Sequence, residues 1–307
     1  MWSGGAESIL HGVVAASVTG LLLRRRDPPG IRLGFLLLGA VLPVLSAPLF
    51  RTLAPGRLAP AFRDGPALFS ASHFALLRMA GVPLLPTLLA LLALAGTLLF
   101  LRDLVPFLVD ASRWRSRVRS VEDGGAITGA VKRAATRLGI VPPRVLLFAS
   151  EHPVLLCRGL VHPRIVASTG ILVALTPDEL EAAVAHEVAH AAHRDPLLGW
   201  GLMLVRGLGF FNPAVQLLAR AAVHETEQRA DRAAVGVLGG SESLVSSLRK
   251  MSGASTIPTT LGQQAHARIL DARCLALVSD RAAAPAGRWH LAVVVAGLTT
   301  LLYLVVA

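Results

Sequence analysis

The chain has 307 residues, of which 53% are hydrophobic and only 16% are charged, and its mean hydropathy is +0.60. Soluble domains carry roughly 25% charged residues, so this composition excludes an ordinary soluble protein and predicts extensive contact with lipid. Two cysteines are too few for a disulfide framework. The net charge of +11 comes from arginines beside apolar segments without interleaved aromatic residues, which favours anionic lipid over nucleic acid as the partner.

Four apolar segments predict transmembrane helices. They cover residues 8–23, 31–50, 82–101 and 291–306, and each is near the length that crosses a bilayer. A cleaved signal peptide fits the first segment poorly, because no Lys or Arg precedes it, whereas Arg24, Arg25 and Arg26 follow it. We therefore predict a three-helix membrane region at 1–101 and a C-terminal transmembrane helix at 289–307.

The positions of the arginines predict the orientation of the chain. Arginine-rich stretches follow the first and third segments, at 24–32 and 102–133, and the positive-inside rule places both in the cytoplasm. The second loop also carries arginines, at 51–78, which argue for the opposite orientation. We predict a multi-pass protein of the plasma or inner membrane, with its N-terminus outside and a cytoplasmic, membrane-apposed domain at 102–288.

The predicted domain is mainly α with a small β-sheet. Residues 102–140 are typical of a basic, mostly helical connector, with a break at Gly124 and Gly125. Three short apolar runs predict strands, at 144–149, 154–157 and 165–168, and two later segments, at 232–250 and 263–278, are predicted to be helical.

A pair of histidines on a helix predicts a metal site. Thr176, Pro177 and Glu179 form the pattern of a capping box with proline at the first helical position, so a helix should begin at about Pro177. His186 and His190 follow in its third and fourth turns; they share a face, so both can bind one ion while Glu187 lies beside them. Alanines and valines surround the pair, which indicates a buried helix rather than a solvated one.

A catalytic zinc site has three protein ligands and an open position, so a third ligand is expected on a later element. Glu227 is the best candidate, because Asp231 lies four residues on and shares its helix face, where it can hydrogen-bond a ligand histidine. His224 and Glu225 compete, although neither has a carboxylate four residues later. His193 is an alternative ligand on the first helix.

Three other side chains have candidate roles near this site. Asp195 is either a hydrogen-bonding partner of a ligand histidine or a surface carboxylate next to Arg194. His266 is a candidate for stabilising the oxyanion. Cys157 is more typical of a thiol in the core of a strand than of a nucleophile.

The apolar segment 197–219 is constrained by the predicted ligands on either side of it. His190 precedes the segment and Glu227 follows it, so a single crossing would place the two ligands on opposite faces of the membrane. We therefore predict a re-entrant or interfacial hairpin, or a buried helical pair, with a break near Asn212 and Pro213. Arg206 inside the segment is costly in lipid and supports partial burial in protein.

These motifs resemble a family of membrane proteases. The runs that carry the resemblance are HEVAH at 186–190, HRDPLL at 193–198, FFNPAV at 210–215 and ExxxDRA at 227–233, with PVLLCRG at 153–159 and HPRIV at 162–166 upstream. They are similar to the membrane-bound metallopeptidases of the beta-lactam sensor-transducer (antirepressor) type, gluzincins related to the heat-shock membrane protease and the CAAX prenyl endopeptidase. The chain departs from the sensor family at Ala230, where that family usually has cysteine.

The resemblance implies one zinc ion per chain, bound by His186, His190 and Glu227, with Glu187 as the general base. The expected reaction is hydrolysis of peptide bonds in a protein or peptide substrate, such as a transcriptional repressor or signalling partner. A membrane-protein quality-control protease is the alternative within enzymes, and a noncatalytic zinc-binding membrane receptor or scaffold is the alternative of another class. The oligomeric state has no signal in the sequence.

Overall fold

The computed structural model describes residues 3–23, 28–70, 77–79, 81–115, 125–251, 270–277 and 289–306. The helices are α1 (Ser3–Leu22), α2 (Pro29–Leu53), α3 (Pro60–Arg63), α4 (Leu84–Arg115), α5 (Gly125–Arg137), α6 (Ile171–Ala174), α7 (Pro177–His193), α8 (Asp195–Leu208), α9 (Pro213–Leu238), α10 (Glu242–Met251), α11 (270–277) and α12 (Trp289–Tyr303), with a 3-10 turn at Pro55–Leu58. The strands are β1 (Phe69–Ser70), β2 (Arg78–Met79), β3 (Val82–Pro83), β4 (Arg144–Phe148), β5 (Leu155–Arg158), β6 (Arg164–Ser168) and β7 (Val305–Val306). The mainly helical fold with small sheets confirms the predicted fold class.

The chain divides into two compact units. The first unit comprises 1–109, 201–225 and 283–307, and the second comprises 110–200 and 226–282. The division falls inside α8 and α9, so each of these helices contributes to both units.

Among the described residues of the first unit, three helices are long and apolar enough to cross a membrane: Gly4–Leu22, Gly30–Leu53 and Leu84–Val105. They coincide with the first three predicted segments. The fourth segment forms α12, whose 15 described residues rise only about 22 Å, less than the roughly 30 Å of a bilayer core. A crossing by this segment therefore stays a prediction.

A buried ionic cluster ties the end of α12 to α1 and to the turn after α2. Arg57 donates to Glu7 at 2.7 Å and to the carbonyl oxygens of Tyr303 and Val305, both at 2.6 Å. His11 shares the Val305 carbonyl at 2.9 Å and contacts Ser46 Oγ at 2.7 Å. These donors satisfy carbonyls that a helix end leaves without intrahelical partners.

The segment 197–219 contains a helical pair with a break at 209–212, between the end of α8 and the start of α9 at Pro213. Asn212 is fully buried and caps α9, because its Oδ1 accepts from Ala214 N at 3.1 Å while its Nδ2 donates to Ser8 O at 2.6 Å. The break at 209–212 forms the tip of this helical hairpin. The tip packs closely on α4, because a Cβ on Gly96 would overlap the Phe211 carbonyl.

Polar contacts also hold this hairpin inside the first unit. Asp103 on α4 accepts from Arg206 at 2.5 Å and from Arg220 at 2.7 Å, so it bridges both arms of the hairpin. Glu225 pairs with Arg32 near the start of α2 at 2.6 Å, whereas Gly209 at the tip lies against Val44, twelve residues further along α2. Twelve helical residues rise about 18 Å, so the hairpin extends along α2 for about half the thickness of a bilayer.

The second unit is built on a three-stranded sheet of order β4-β6-β5. β6 is central and pairs parallel with β4 and antiparallel with β5, which leaves β5 as an edge strand. One face of the sheet buries Leu147, Leu155 and Ile165 against α5 and α7. The strands begin and end within two residues of their predicted bounds.

Helix α7 lies at the centre of the second unit. Its start matches the sequence prediction: Thr176 Oγ accepts from Glu179 N, and Glu179 Oε2 accepts from Thr176 N at 2.8 Å. Ten of its 17 residues are buried, so the helix packs on several sides, as its alanines and valines predict. Its two histidines therefore face protein rather than solvent.

Candidate metal centre

The structure brings together His186, His190 and Glu227. The two Nε2 atoms lie 3.1 Å apart, and each lies 3.6 Å from an oxygen of the Glu227 carboxylate. One ligand atom from each residue lies within 4.8 Å of the others, and this is the one such group of His, Cys, Asp or Glu found among the described residues. His224 and Glu225 are outside this group, and Glu225 pairs with Arg32 instead.

Each histidine turns its other ring nitrogen towards an aspartate. His190 Nδ1 lies 2.7 Å from Asp195 Oδ2. His186 Nδ1 lies 2.9 Å from Asp231 Oδ1, a contact at ion-pair distance that falls short of an aligned hydrogen bond. With the Nδ1 proton facing each carboxylate, both Nε2 lone pairs would be left for an ion.

A tight turn places Asp195 beside His190. Arg194 ends α7 in the left-handed region, with φ 56°, and its N–H bonds back to Ala191 O. The chain then reverses into α8, so that a residue only five positions after His190 lies against its ring.

Two arginines hold the aspartates, and the sequence analysis missed both. Arg273 on α11 donates to both oxygens of Asp231, at 2.9 and 2.7 Å, and its Nη1 lies 3.0 Å from Glu227 Oε2. Arg229 donates to Asp195 Oδ1. Arg273 follows Asp271 closely in the sequence, so no local pattern marked its pairing with the more distant Asp231.

Glu187 lies beside the edge of β5 that faces away from β6. Its Oε2 accepts a hydrogen bond from the Cys157 N–H at 2.6 Å. Burial raises the pKa of Glu187, and the charge of Glu227 adds to this effect, while His186 and His190 oppose it. The shift moves the carboxylate towards the pKa of a general base that works near neutral pH.

The electrostatics of the centre favour a cation. Burial favours the neutral form of His186, but Asp231 and Glu227 outweigh it and raise its pKa to about 10. Burial likewise opposes ionisation of Glu227, yet its contact with His186 and the charge of Arg273 lower its pKa to about 2. The acids thus stabilise positive charge between them, and two imidazoles with one carboxylate are a donor set that suits zinc.

The remaining candidates take no direct part in the cluster. Burial, with the nearby charges of Glu187 and Asp195, raises the pKa of Cys157 to about 12, so its thiol is protonated at neutral pH and a poor nucleophile. His193 is partly buried at the end of α7, outside the group of converging ligand atoms. His266 lies outside the described residues.

A cavity of about 250 Å³ opens beside the centre. Glu187, Glu227 and Arg273 lie at its polar side. Its apolar walls come from β5, α10 and α11, through Leu155, Leu244, Leu248, Met251 and Leu270. This arrangement places an apolar recess next to the converging ligands.

Residues 80–273 match the BlaR1 peptidase M56 family, a match that covers the sheet, α7 and the later helices of the centre. The chain belongs to the BlaR1 peptidase M56 family. This membership confirms the resemblance that the sequence motifs predict, and the M56 residues include every ligand candidate and both arginines.

The M56 chain is also similar to protease HtpX homologues. It is 34% identical to the homologue of Pelotomaculum thermopropionicum over 30% of this chain and 33% of that protein. It is 30% identical to the homologue of Variovorax paradoxus over 43% of this chain and 47% of that protein. It is 29% identical to the homologue of a Janthinobacterium species over 48% of this chain and 51% of that protein. The matched part spans about half or less of the length of these relatives. Together with the M56 match, the similarity supports a relation to membrane metalloproteases.

Proposed function

We propose that this M56 chain is a zinc-dependent metalloendopeptidase that hydrolyses peptide bonds of a protein substrate at the cytoplasmic face of the membrane. The observation that carries this proposal is the convergence of two Nε2 atoms and the Glu227 carboxylate beside Glu187. His186, His190 and Glu227 would hold the ion. A bound zinc ion supplies Lewis acidity, which activates water at neutral pH and polarises a peptide carbonyl.

Glu187 is suited to move the protons of the reaction. Its carboxylate accepts a proton from the attacking water as the water oxygen bonds to the carbonyl carbon of the substrate. The C–N bond then breaks, and the same proton passes to the leaving amine. Burial raises the pKa of Glu187, which makes both transfers easier near neutral pH. The Cys157 N–H holds one carboxylate oxygen in place before substrate arrives.

The edge strand β5 is suited to align an extended substrate. β5 pairs with β6 on one side, and on its other side the Cys157 N–H already points towards Glu187. Backbone pairing along this edge would bring a scissile bond next to the proposed base. The apolar cavity lined by Leu155 and Leu248 would then take an apolar substrate side chain beside that bond.

For the biological role, we propose regulatory signalling through cleavage of a repressor or signalling partner. The M56 match favours this role, because the family is described as the BlaR1 peptidase. The similarity to HtpX homologues favours a second candidate, membrane-protein quality control. A noncatalytic zinc scaffold fits less well, since the converging group offers three ligands and retains Glu187.

The experiment is capture of substrates on the Glu187→Ala variant in native membranes, followed by mass spectrometry and by incubation of each captured protein with the wild-type chain. Cleavage of one transcriptional repressor supports the signalling role. Cleavage of many misfolded membrane proteins overturns it in favour of quality control. If the wild-type chain cleaves none of the captured proteins and no general peptide library, the peptidase proposal fails.

The proposed topology has the N-terminus outside and the second unit in the cytoplasm. Cysteines introduced at exposed positions of that unit, such as Glu151 and Glu242, should react with a membrane-impermeant thiol reagent only after the cells are opened. Reaction in intact cells would reverse the assigned orientation.

A further inference from the structure

Three arginines form a row across one end of the sheet of the second unit. Arg164, the first residue of the central strand, is in register with Arg144 on one side and with Arg158 on the other. Residues in register share a face of the sheet, and strands lie about 4.8 Å apart, so the row places three guanidinium groups along about 10 Å of backbone. All three side chains are exposed, on the face opposite the core residues Ile165 and Leu147.

This arrangement is unfavourable for the isolated domain, because like charges directly opposite each other destabilise a sheet. Arg158 has a contact of its own, whereas Arg144 and Arg164 form no ion pair within the part of the chain that the structure describes. A row of donors with this spacing instead matches a surface that carries many phosphate groups.

Aliphatic side chains project at the same end of the sheet. Val161 is 76% exposed and Leu160 is 42% exposed in the turn that joins β5 to β6, and Val141, 88% exposed, precedes β4. Gly159 begins this turn with φ 112°, and a Cβ there would overlap the His162 carbonyl, so the turn requires glycine and is tightly wound. The exposed side chains are therefore presented on short, constrained loops.

We propose that this end of the sheet docks on the anionic headgroups of the bilayer, with the arginine row on the phosphates and Val141, Leu160 and Val161 at the level of the acyl boundary. Guanidinium groups combined with projecting aliphatic side chains are typical of segments that lie in a membrane interface, whereas single-stranded nucleic acid is usually bound through aromatic side chains. Three helices described in the same chain are long and apolar enough to cross a membrane, so lipid is a partner that the chain itself would bring. The proposal does not depend on the peptidase activity.

The test uses the full chain in nanodiscs, with Cys157 and Cys274 replaced by Ser and an environment-sensitive fluorophore attached to Val161→Cys. Quenching by lipids brominated near the headgroup is compared in phosphatidylcholine discs and in discs that contain phosphatidylglycerol. We expect strong quenching in the anionic discs that weakens at high salt, because salt screens exposed charges. The triple variant Arg144→Gln, Arg158→Gln, Arg164→Gln should shift the docking equilibrium by tenfold or more, as estimated roughly from three interfacial arginines.

A control of equal charge change replaces Lys132, Arg232 and Arg249, which are exposed elsewhere in the second unit, by Gln. The fluorophore in this control should be quenched as strongly as in the parent chain. A triple Arg→Lys variant of the row should retain most of the quenching in the anionic discs. Equal quenching in the two lipids, or equal loss in the control, would overturn the proposal. Protection of position 161 by an acidic protein rather than by anionic lipid would also overturn it. The lipid comparison keeps the arginine row unchanged, so it does not require the triple Arg→Gln variant to fold.

Discussion

At the scale of single residues, two similar series of contacts meet where the Nε2 atoms of His186 and His190 converge. His186 leads to Asp231 and Arg273, and His190 leads to Asp195 and Arg229. Each arginine holds its aspartate in place through a hydrogen bond between charged groups, and each aspartate orients a ring. We infer that the two arginines position the ligands without touching the ion themselves.

Replacing either arginine should weaken zinc binding. We expect Arg229→Gln or Arg273→Gln to lower zinc affinity by about 10–100-fold, the usual effect of losing an outer partner of a ligand. Competition with a chromophoric chelator measures the affinity. Arg232→Gln, an exposed change on the same helix as Arg229, is the matched control and should bind zinc like the wild type. A lower unfolding temperature with unchanged zinc affinity would show that the arginines only stabilise the fold.

Glu179 predicts a pH dependence of stability away from the metal centre. Hydrogen bonds from Lys250, then Ser246 and the Thr176 N–H, lower the pKa of this carboxyl to about 2. A carboxyl with a depressed pKa stabilises the folded state fully above its unfolded pKa of about 4.3, and this contribution is lost as the pH falls towards 2. Thermal unfolding in detergent should therefore show Glu179→Gln to be less stable than wild type at pH 7, with the difference shrinking between pH 5 and pH 3.

The exposed loop carboxylate of Glu151 provides the control for this experiment. Glu151→Gln should track the wild type across the same range. A difference between wild type and Glu179→Gln that stays constant from pH 7 to pH 3 would contradict the assigned ion pair.

At the scale of elements, local signals and the zinc motif were sufficient to predict the long helices and the three strands of the second unit's sheet, but not the two-residue strands β1, β2, β3 and β7. The capping box at Thr176 fixes the start of α7 because both of its hydrogen bonds are local, and β-rich apolar runs predict β4, β5 and β6 closely. The break before Pro213 follows from proline chemistry and from the need of His190 and Glu227 to meet. The arginine contacts could not be predicted, because they join residues more than 30 positions apart and depend on packing angles.

The hairpin tip makes a prediction at this scale. A Cβ on Gly96 would overlap the Phe211 carbonyl and lie 2.8 Å from Asn212 N, and this backbone is held by the buried Asn212 cap. Gly96→Ala should therefore destabilise the first unit by about 1–3 kcal/mol, as overpacking does, measured by thermal unfolding in detergent. Gly20→Ala meets no atom within 4 Å and should be neutral or slightly stabilising. Equal stability of the two variants would contradict close packing at the tip.

At the scale of the whole molecule, composition predicts a membrane protein and the M56 match agrees with it. Three helices are long enough to span, while the predicted fourth crossing and the orientation rest on the sequence pattern alone. Hydropathy detects apolar segments but cannot distinguish a crossing from a hairpin, and here the ligands on both sides of 197–219 supplied the missing constraint. No comparable constraint in the sequence identifies the substrate.

The central claim is that His186, His190 and Glu227 hold one zinc ion that acts with Glu187. The most direct measurement is zinc content together with peptide hydrolysis for the purified wild type, Glu187→Ala and His190→Ala. We expect one zinc per chain in the wild type and in Glu187→Ala, a loss of hydrolysis of about 100-fold or more in Glu187→Ala, and loss of both zinc and hydrolysis in His190→Ala. Full hydrolysis by Glu187→Ala, or stoichiometric zinc in His190→Ala, would contradict it.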